Sequence, residues 1–247
     1  MKPKKAIIIS DVHFSSADDA LVELVAFKFG KDFKPDIIFL NGDIIDLYAV
    51  SRYPKHPASN QTVEADVNAT IAFLKRLRET FPKAEIHYVF GNHEHRLESY
   101  ISEKAPALFP YVNLEKILGL HELRIKCYRG DSRENWMKYK NLYIGHWDKA
   151  LSNSASTAQA LLREKGVSLI QGHVHRAGMT AKRFIDRTLY AYENPCLANL
   201  NSVDYVKDPN WQQGFTVVYF TEKNHHAYVV PIKNGEFVFN DKLYNVR

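Results

Sequence analysis

The sequence predicts an α/β fold in which two β-sheets pack face to face with helices on the outside. Short apolar runs, typical of buried strands, alternate with amphipathic helical segments along the first part of the chain. Five of these runs end at polar motifs, and such motifs gather at one edge of the sheets of an α/β protein. The 247 residues contain no linker and no repeat, so we expect one domain over residues 1–247.

Each element has its own sequence signal. Short apolar runs predict strands at Lys5–Ser10, Asp36–Leu40, Ala84–Phe90, Leu123–Tyr128, Asn141–Ile144 and Val167–Gln171. Helical spacing of apolar residues or stop signals such as Pro82 and Gly166 predict helices at Ala17–Lys31, Thr62–Phe81, Arg96–Lys104, Val112–Leu118 and Ser154–Lys165. Later strand-like runs predict a mostly antiparallel second sheet that finishes the chain, at Met179–Phe184, Thr188–Tyr192, Gly214–Thr221, His226–Ile232 and Glu236–Phe239.

Composition excludes several protein classes. No apolar run reaches the roughly 18 residues of a membrane span, and the first run is too short for a secretory signal. Two cysteines, Cys127 and Cys196, are too few for a disulfide scaffold, so we expect reduced thiols and a cytoplasmic protein. The net charge of +5 is compatible with anionic substrates or nucleic acid without specifying either.

Five motifs carry nearly all the candidate metal ligands. They are Asp11-Val12-His13, Gly42-Asp43-Ile44-Ile45-Asp46, Gly91-Asn92-His93-Glu94, Gly145-His146 and Gly172-His173-Val174-His175. Aspartate and histidine are ligands that divalent Mn, Fe, Zn and Ni accept. One such motif alone is often an ordinary turn, but five that each follow a strand predict a two-metal hydrolytic centre.

Residue chemistry assigns some roles within the motifs. The alternation of side chains along an extended strand end points Asp11 and His13 to the same side, and His173 and His175 likewise. The two oxygens of Asp43 can bridge two ions.

Two further side chains of the motifs have roles of their own. Asn92 offers a neutral amide oxygen, and the neighbouring His93 is free to act as an acid.

The motif set resembles that of the calcineurin-like metallophosphoesterases, in particular the small bacterial and bacteriophage-type members, over roughly residues 6–176. The resemblance implies a four-layer α/β/β/α sandwich with two mixed sheets and a dinuclear metal centre. It assigns Asp11, His13 and His175 to the first metal. It assigns Asn92, His146 and His173 to the second, with Asp43 as the bridge.

The resemblance also implies a reaction. A hydroxide shared by two divalent ions attacks phosphorus in line, while His93 donates a proton to the leaving oxygen. Asp46 would orient His93, and Glu94 would be structural. Manganese is the preferred metal, with Fe, Zn or Ni as alternatives. Arginine forms bidentate contacts to phosphate, which makes Arg96 the first candidate for substrate binding, followed by Arg52 and Arg176.

The substrate is less closely defined. The basic charge and the aromatic residues Trp136, Tyr139, Trp147 and Trp211 favour a phosphodiesterase or phosphatase acting on nucleotides or nucleic-acid ends. A protein phosphatase is the alternative within the family, although Leu47 stands where those enzymes carry arginine.

Two alternatives come from other classes of protein. One is a non-catalytic interaction scaffold. The other is a nucleic-acid-binding module without chemistry, for which the sequence shows no concentrated basic stripe.

Overall fold

Two mixed sheets form the centre of the fold in the computed structural model, which describes residues 2–14, 16–55, 59–131, 133–200 and 209–247. The first sheet has the order β11-β10-β1-β2-β3-β4 and the second β5-β6-β7-β9-β8, with β12 and β13 as a separate hairpin. The strands are β1 Lys4–Ile9, β2 Ile37–Asn41, β3 Glu85–Val89, β4 Ile125–Tyr128, β5 Glu134–Tyr139, β6 Leu142–Trp147, β7 Leu169–Gln171, β8 Gly178–Arg183, β9 Thr188–Glu193, β10 Gly214–Phe220, β11 His225–Pro231, β12 Glu236–Phe239 and β13 Lys242–Asn245.

Helices connect the strands and cover the outer faces. The α-helices are α1 Asp19–Val22, α2 Gly30–Phe33, α3 Val63–Thr80, α4 Arg96–Lys104, α5 Leu114–Ile117 and α6 Ser156–Lys165. A π-helical stretch, Glu23–Phe29, joins α1 to α2, and 3-10 turns occur at Tyr48–Val50 and Pro106–Tyr111. The first helix begins two residues later than predicted because the Asp18 carboxylate caps it, accepting from the backbone N–H of Leu21.

The two faces of β1 show the layering. Ala6 and Ile8 belong to an apolar cluster with Ile144 and Ile170 of the second sheet, so this face lies between the sheets. Ile7 and its alternate neighbours belong to a second cluster with the helical segments on the outside. On the far side, α6 packs against β7 and β9. The predicted α/β/β/α order is therefore confirmed, whereas the single domain over residues 1–247 stays a prediction.

One feature of the predicted topology is wrong. The C-terminal strands do not build a sheet of their own: β10 pairs with β1 in antiparallel orientation, with Ile7 opposite Val217, and β11 follows it. Of the strands from β8 to β13, only β8 and β9 join the second sheet, while β12 and β13 form the separate hairpin. Strand β1 has neighbours on both sides, with β2 parallel to it, so it is an interior strand of the first sheet, and its residues from Ala6 to Ile9 are buried.

Strand β5 was not predicted. Its residues Glu134–Tyr139 alternate between buried and exposed positions at the edge of the second sheet, and they contain no continuous apolar run. Trp136 and Tyr139 therefore lie on a strand, and Trp147 on β6, where loops were expected. None of the helices in the described ranges has the length and apolar character of a membrane span.

Candidate metal centre

The predicted ligands come together where the strands end. Asp11 follows β1, Asp43 follows β2, and Asn92 follows β3, while His146 lies in β6. Three groups of histidine and aspartate side chains have ligand atoms within 4.8 Å of one another. The first group is Asp11, His13 and His175, the second is Asp43, His146 and His173, and the third is His13, Asp46 and His93. The structure therefore brings together every residue predicted to hold a metal.

The backbone reaches this arrangement in an unexpected way. Extended strand ends were predicted for Asp11 with His13 and for His173 with His175, and this prediction is wrong. Left-handed φ angles occur instead at Asp11 (53°), His13 (54°), Asp43 (52°), His173 (73°) and His175 (55°). Non-glycine residues rarely adopt this conformation because Cβ then crowds the carbonyl oxygen. Such outliers are typical of functional sites, where the surrounding structure holds them in place.

The first group lies in the interior. Asp11, His13 and His175 are all buried. His13 Nε2 lies 3.2 Å from His175 Nε2, and His175 Nε2 lies 3.1 Å from Asp11 Oδ1. Asp11 also accepts from the backbone N–H of His173 at 3.0 Å, which connects this group to the second one.

The second group opens towards solvent. Asp43 Oδ2 lies 3.2 Å from His146 Nε2, and both side chains are buried. His173 Nδ1 lies 2.9 Å from the Asn92 amide oxygen, and 20% of the His173 side chain is exposed. The second group is therefore the more accessible of the two to solvent.

The third group contains the predicted acid. His93 Nδ1 lies 3.0 Å from Asp46 Oδ1, as expected if Asp46 orients the ring. Arg96 donates from Nη1 to Asp46 Oδ1 at 2.9 Å, and its Nη2 lies 2.7 Å from His93 Nε2. A guanidinium group has only donors, so His93 Nε2 accepts in this contact. Arg96 therefore contacts the predicted acid directly.

Burial and charge shift the pKa values of the histidines in opposite directions. Burial lowers the pKa of His13 to about 3 and, with the neighbouring His146, that of His173 to about 4. Burial acts against the charged form of His146 too, but the Asp43 and Asp11 carboxylates raise its pKa to about 10. At neutral pH, His146 is therefore charged, whereas His13 and His173 are neutral.

The carboxylates carry their charge despite burial. Burial alone would raise the pKa of Asp43, yet His146 and His93 hold it well below its usual range. Burial also opposes ionisation of Asp46, but the hydrogen bond from His93 lowers its pKa to about 2. The carboxylates are therefore available as anionic ligands at any pH near neutrality.

Glu94 fixes the loops that carry these ligands. Its fully buried carboxylate accepts backbone N–H groups from Asp43 (2.9 Å), Ile44 (2.8 Å) and Gly91 (2.6 Å), with Ile45 at 3.4 Å. The Tyr88 hydroxyl donates to it at 2.7 Å. Burial, reinforced by Glu94, raises the pKa of Tyr88 well above its usual range, so the phenol remains a donor. These contacts agree with the structural role that the sequence predicted.

Two motif glycines have steric reasons to be glycine. A Cβ at Gly91 would lie 2.2 Å from Asp43 Oδ1, which has no room to move because Glu94 holds its backbone. At Gly42, φ is +81° and a Cβ would lie 2.3 Å from His146 Nδ1. Glycine at these positions therefore allows ligands from different strands to approach each other.

The other two predicted arginines lie outside the three groups. Arg52 is exposed and stacks at 5.6 Å over the ring of its neighbour Tyr53. Arg176 donates to the carbonyl oxygens of Asn210, at 3.1 Å, and Leu151. Their roles in substrate binding stay predictions.

Some residues of the centre were not predicted from the sequence. The Asn41 carbonyl oxygen lies 2.9 Å from His146 Nδ1, the contact that orients a ligating histidine in many metal sites. Asp148, with 54% of its side chain exposed, lies 3.5 Å from His173 Nε2. Trp211 packs on His175 with ring centroids 4.4 Å apart. Asn41 and Asp148 each stand within two residues of a motif, which is the one signal that could have indicated them.

The donor set fits metal ions. Carboxylate, imidazole and amide donors converge, and these are the ligands of borderline divalent ions. His146 Nε2 is buried and makes no hydrogen bond in the part of the chain that the structure describes, although Asp43 Oδ2 lies 3.2 Å away. Buried polar atoms of native proteins usually have partners, so this nitrogen is suited to a ligand outside the chain.

Comparison with known proteins assigns the family. Residues 4–177 match the model of the calcineurin-like phosphoesterases. The chain belongs to this family. Two proteins called Gene 54 protein, from Mycobacterium phages L5 and D29, are each 27% identical to it over 258 residues, covering 98% of this chain and 99% of the relative.

Two solved structures show a weaker likeness. Zinc-complexed Vps29 from Entamoeba histolytica is 12% identical, with a TM-score of 0.46 and coverage of 98% of this chain and 99% of that one. A dimetal phosphatase from Danio rerio is 12% identical, with a TM-score of 0.42 and coverage of 93% and 96%.

We expect Glu94→Gln to destabilise the protein and weaken metal binding. The amide NH₂ group would face backbone donors, so at least two of them lose their acceptor, at a cost of about 1–3 kcal/mol each. Divalent-metal affinity should fall about 10–100-fold, as for other residues that orient ligands. Urea unfolding and titration calorimetry measure the two effects. Tyr88→Phe, which removes a single hydrogen bond to the same carboxylate, is the control and should cost about 1 kcal/mol. Equal effects of the two variants would contradict this role of Glu94.

Metal binding should release about one proton at about pH 6. His146, with its pKa of about 10, is then charged and must lose its proton to become a ligand, whereas His13 and His173 are already neutral. Affinity should therefore weaken as pH falls. Calorimetry in buffers of different ionisation enthalpy counts the protons, and His146→Gln, which keeps a neutral ligand atom, should lose the release. Similar proton counts for the two proteins would exclude His146 as the source.

Proposed function

We propose that this protein is a two-metal phosphoesterase that hydrolyses nucleotides or nucleic-acid ends as a phosphodiesterase or a phosphatase. The observation that supports this proposal is the convergence of two ligand groups. Asp43 belongs to one group, and its charge also acts on His13 of the other. Asp11, His13 and His175 would hold one cation. Asn92, His146 and His173 would hold the second, with Asp43 shared.

The cations would supply Lewis acidity that polarises the phosphoester and lowers the pKa of water. Manganese is the preferred metal, with Fe, Zn or Ni as alternatives. A centre that is closed around Asp11 and open at His173 directs the substrate to one side of the cation pair. The ligand loops are held by Glu94 before a substrate arrives, so little reorganisation accompanies the reaction.

His93 would supply the proton to the leaving oxygen in its doubly protonated form. Asp46 accepts from Nδ1, whereas Nε2 accepts from Arg96 at 2.7 Å and so first has to take up a proton from solvent. A leaving oxygen can reach Nε2 only by taking the place of the Arg96 guanidinium. That group, still anchored to Asp46, is then available to a phosphoryl oxygen. Arg96 thus contributes both to positioning His93 and to binding substrate in this proposal.

A protein phosphatase of the same family is less well supported. Such enzymes carry arginine directly after the second motif, where this chain has Leu47. Leu47 is fully buried and in a left-handed conformation, so this position presents no cation to a phosphate group. The anionic substrate must therefore be bound by other residues.

The decisive experiment compares bis-p-nitrophenyl phosphate with p-nitrophenyl phosphate after chelation and Mn²⁺ add-back. We expect diester turnover that disappears with chelator and returns with Mn²⁺, and none with Asp43→Asn, which loses a shared ligand. Monoester turnover alone would assign a phosphatase. Absence of turnover with Mn²⁺, Ni²⁺, Zn²⁺ and Fe²⁺ would refute the proposal and favour a non-catalytic scaffold.

His93→Ala should lower turnover about 10²–10⁴-fold for diesters with a poor leaving group such as an alkoxide, because these need protonation. The loss should be much smaller for p-nitrophenolate, which leaves without a proton, and the bound metal should stay unchanged. Steady-state kinetics on both substrates and metal analysis test this. His121→Ala removes an exposed histidine and serves as control. Equal losses for both leaving groups would exclude a general acid.

A further inference from the structure

A cleft of about 450 Å³ lies at the edge of the first sheet, away from the metal centre. It is formed where α3 ends and where β3 and β4 begin. The metal ligands instead follow the carboxyl ends of the strands, so β3, at roughly 3.3 Å per residue, separates the two sites by roughly 15 Å. The residues that line this basic cleft are Arg78, Pro82, Lys83, Ala84, Glu85, Ile86, Arg124 and Lys126.

The charge of the basic cleft is unbalanced. Its lining has four basic side chains and one carboxylate, that of Glu85. Lys4, outside the lining, already pairs with Glu85 at 2.9 Å. Lys83, Arg124 and Lys126 are exposed, and within the described residues none of them forms an ion pair. The Arg124 guanidinium donates to the Pro82 carbonyl oxygen, at 3.5 Å. The basic cleft therefore has surplus positive charge and exposed cationic groups at its surface.

Arg78 makes the walls of the basic cleft rigid. It donates to the carbonyl oxygens of Leu123 (2.8 Å), Ala84 (2.9 Å) and Arg124 (2.9 Å), which joins the end of α3 to the starts of β3 and β4. Burial, followed by the charge of Arg124, lowers the pKa of Arg78 from its ordinary value. Arg78 thus places a charge that no carboxylate of the described chain pairs with at the base of the basic cleft.

We propose that the basic cleft binds phosphate groups, with nucleic-acid backbone as the source, because several exposed cations line one cleft and a backbone presents several phosphates to them. A guanidinium and two ammonium groups are the chemistry that binds phosphate oxygens. The site was not visible in the sequence because residues 78 and 83 lie more than 40 positions from residues 124 and 126. The inference does not rest on hydrolysis, since the basic cleft is a binding site only.

The test is the salt dependence of binding of a fluorescent single-stranded oligonucleotide of about 12 nucleotides. The full chain is used with chelator, so that the probe remains intact. Neutralising three phosphate contacts should reduce the slope of log K against log salt by about 2, at about 0.7 per contact. We expect this reduction, and at least about tenfold weaker binding at low salt, for the combined variant Lys83→Gln, Arg124→Gln and Lys126→Gln. Arg78 is left unchanged because it holds the fold.

A second variant, with the same net charge as the first, serves as the control. Lys116→Gln, Lys182→Gln and Lys233→Gln remove three exposed cations from other elements, and this variant should keep the slope of the unmodified chain. Circular dichroism and thermal midpoints verify that both variants fold. Equal losses in the two variants, or none in either, would overturn the proposal. If inorganic phosphate or a mononucleotide competes as effectively as the oligonucleotide, the basic cleft is a phosphate site, but its ligand is a free phosphate.

Discussion

The metal centre depends on one buried carboxylate. Glu94 accepts hydrogen bonds from the loop after β2, from the loop after β3 and from Tyr88 inside β3. Backbone N–H groups at the ends of buried strands need partners, and here one side chain satisfies several of them. Asp43 can turn into a left-handed conformation because its own N–H is held in this way. The geometry of Asp43 is thus determined by a residue outside the three ligand groups.

The ligands themselves could be predicted from the sequence, because aspartate and histidine after strand ends have few other uses in combination. The grouping of Asp11 with His13 and His175 came from the family resemblance, and the structure brings these residues together. The left-handed turns could not be predicted, because aspartate and histidine, although enriched among residues with positive φ, still adopt negative φ far more often. The contact between Arg96 and His93 was also invisible, because side-chain partners across a helix start depend on packing.

The fold was predictable to a similar extent. Apolar runs located β1, β2 and β3, and helical spacing located α3 within one or two residues. Strand β5 escaped because an edge strand with one exposed face needs no apolar run. The place of β10 beside β1 escaped for a different reason: strand pairing is a property of topology, and the buried, mostly apolar run Gly214–Phe220 suits an interior strand of either sheet.

The pairing of β10 with β1 has a consequence for how the protein is made. During synthesis, β1 emerges first, and its long antiparallel neighbour emerges only after residue 214. Until then, one side of an apolar strand lacks its hydrogen-bonding partner, and contacts over such sequence separations form slowly. The family pattern ends at residue 177, before this strand. The segment that matches the family is thus shorter than the segment that must fold, since β1 gains its second neighbour only from the C-terminal part of the chain.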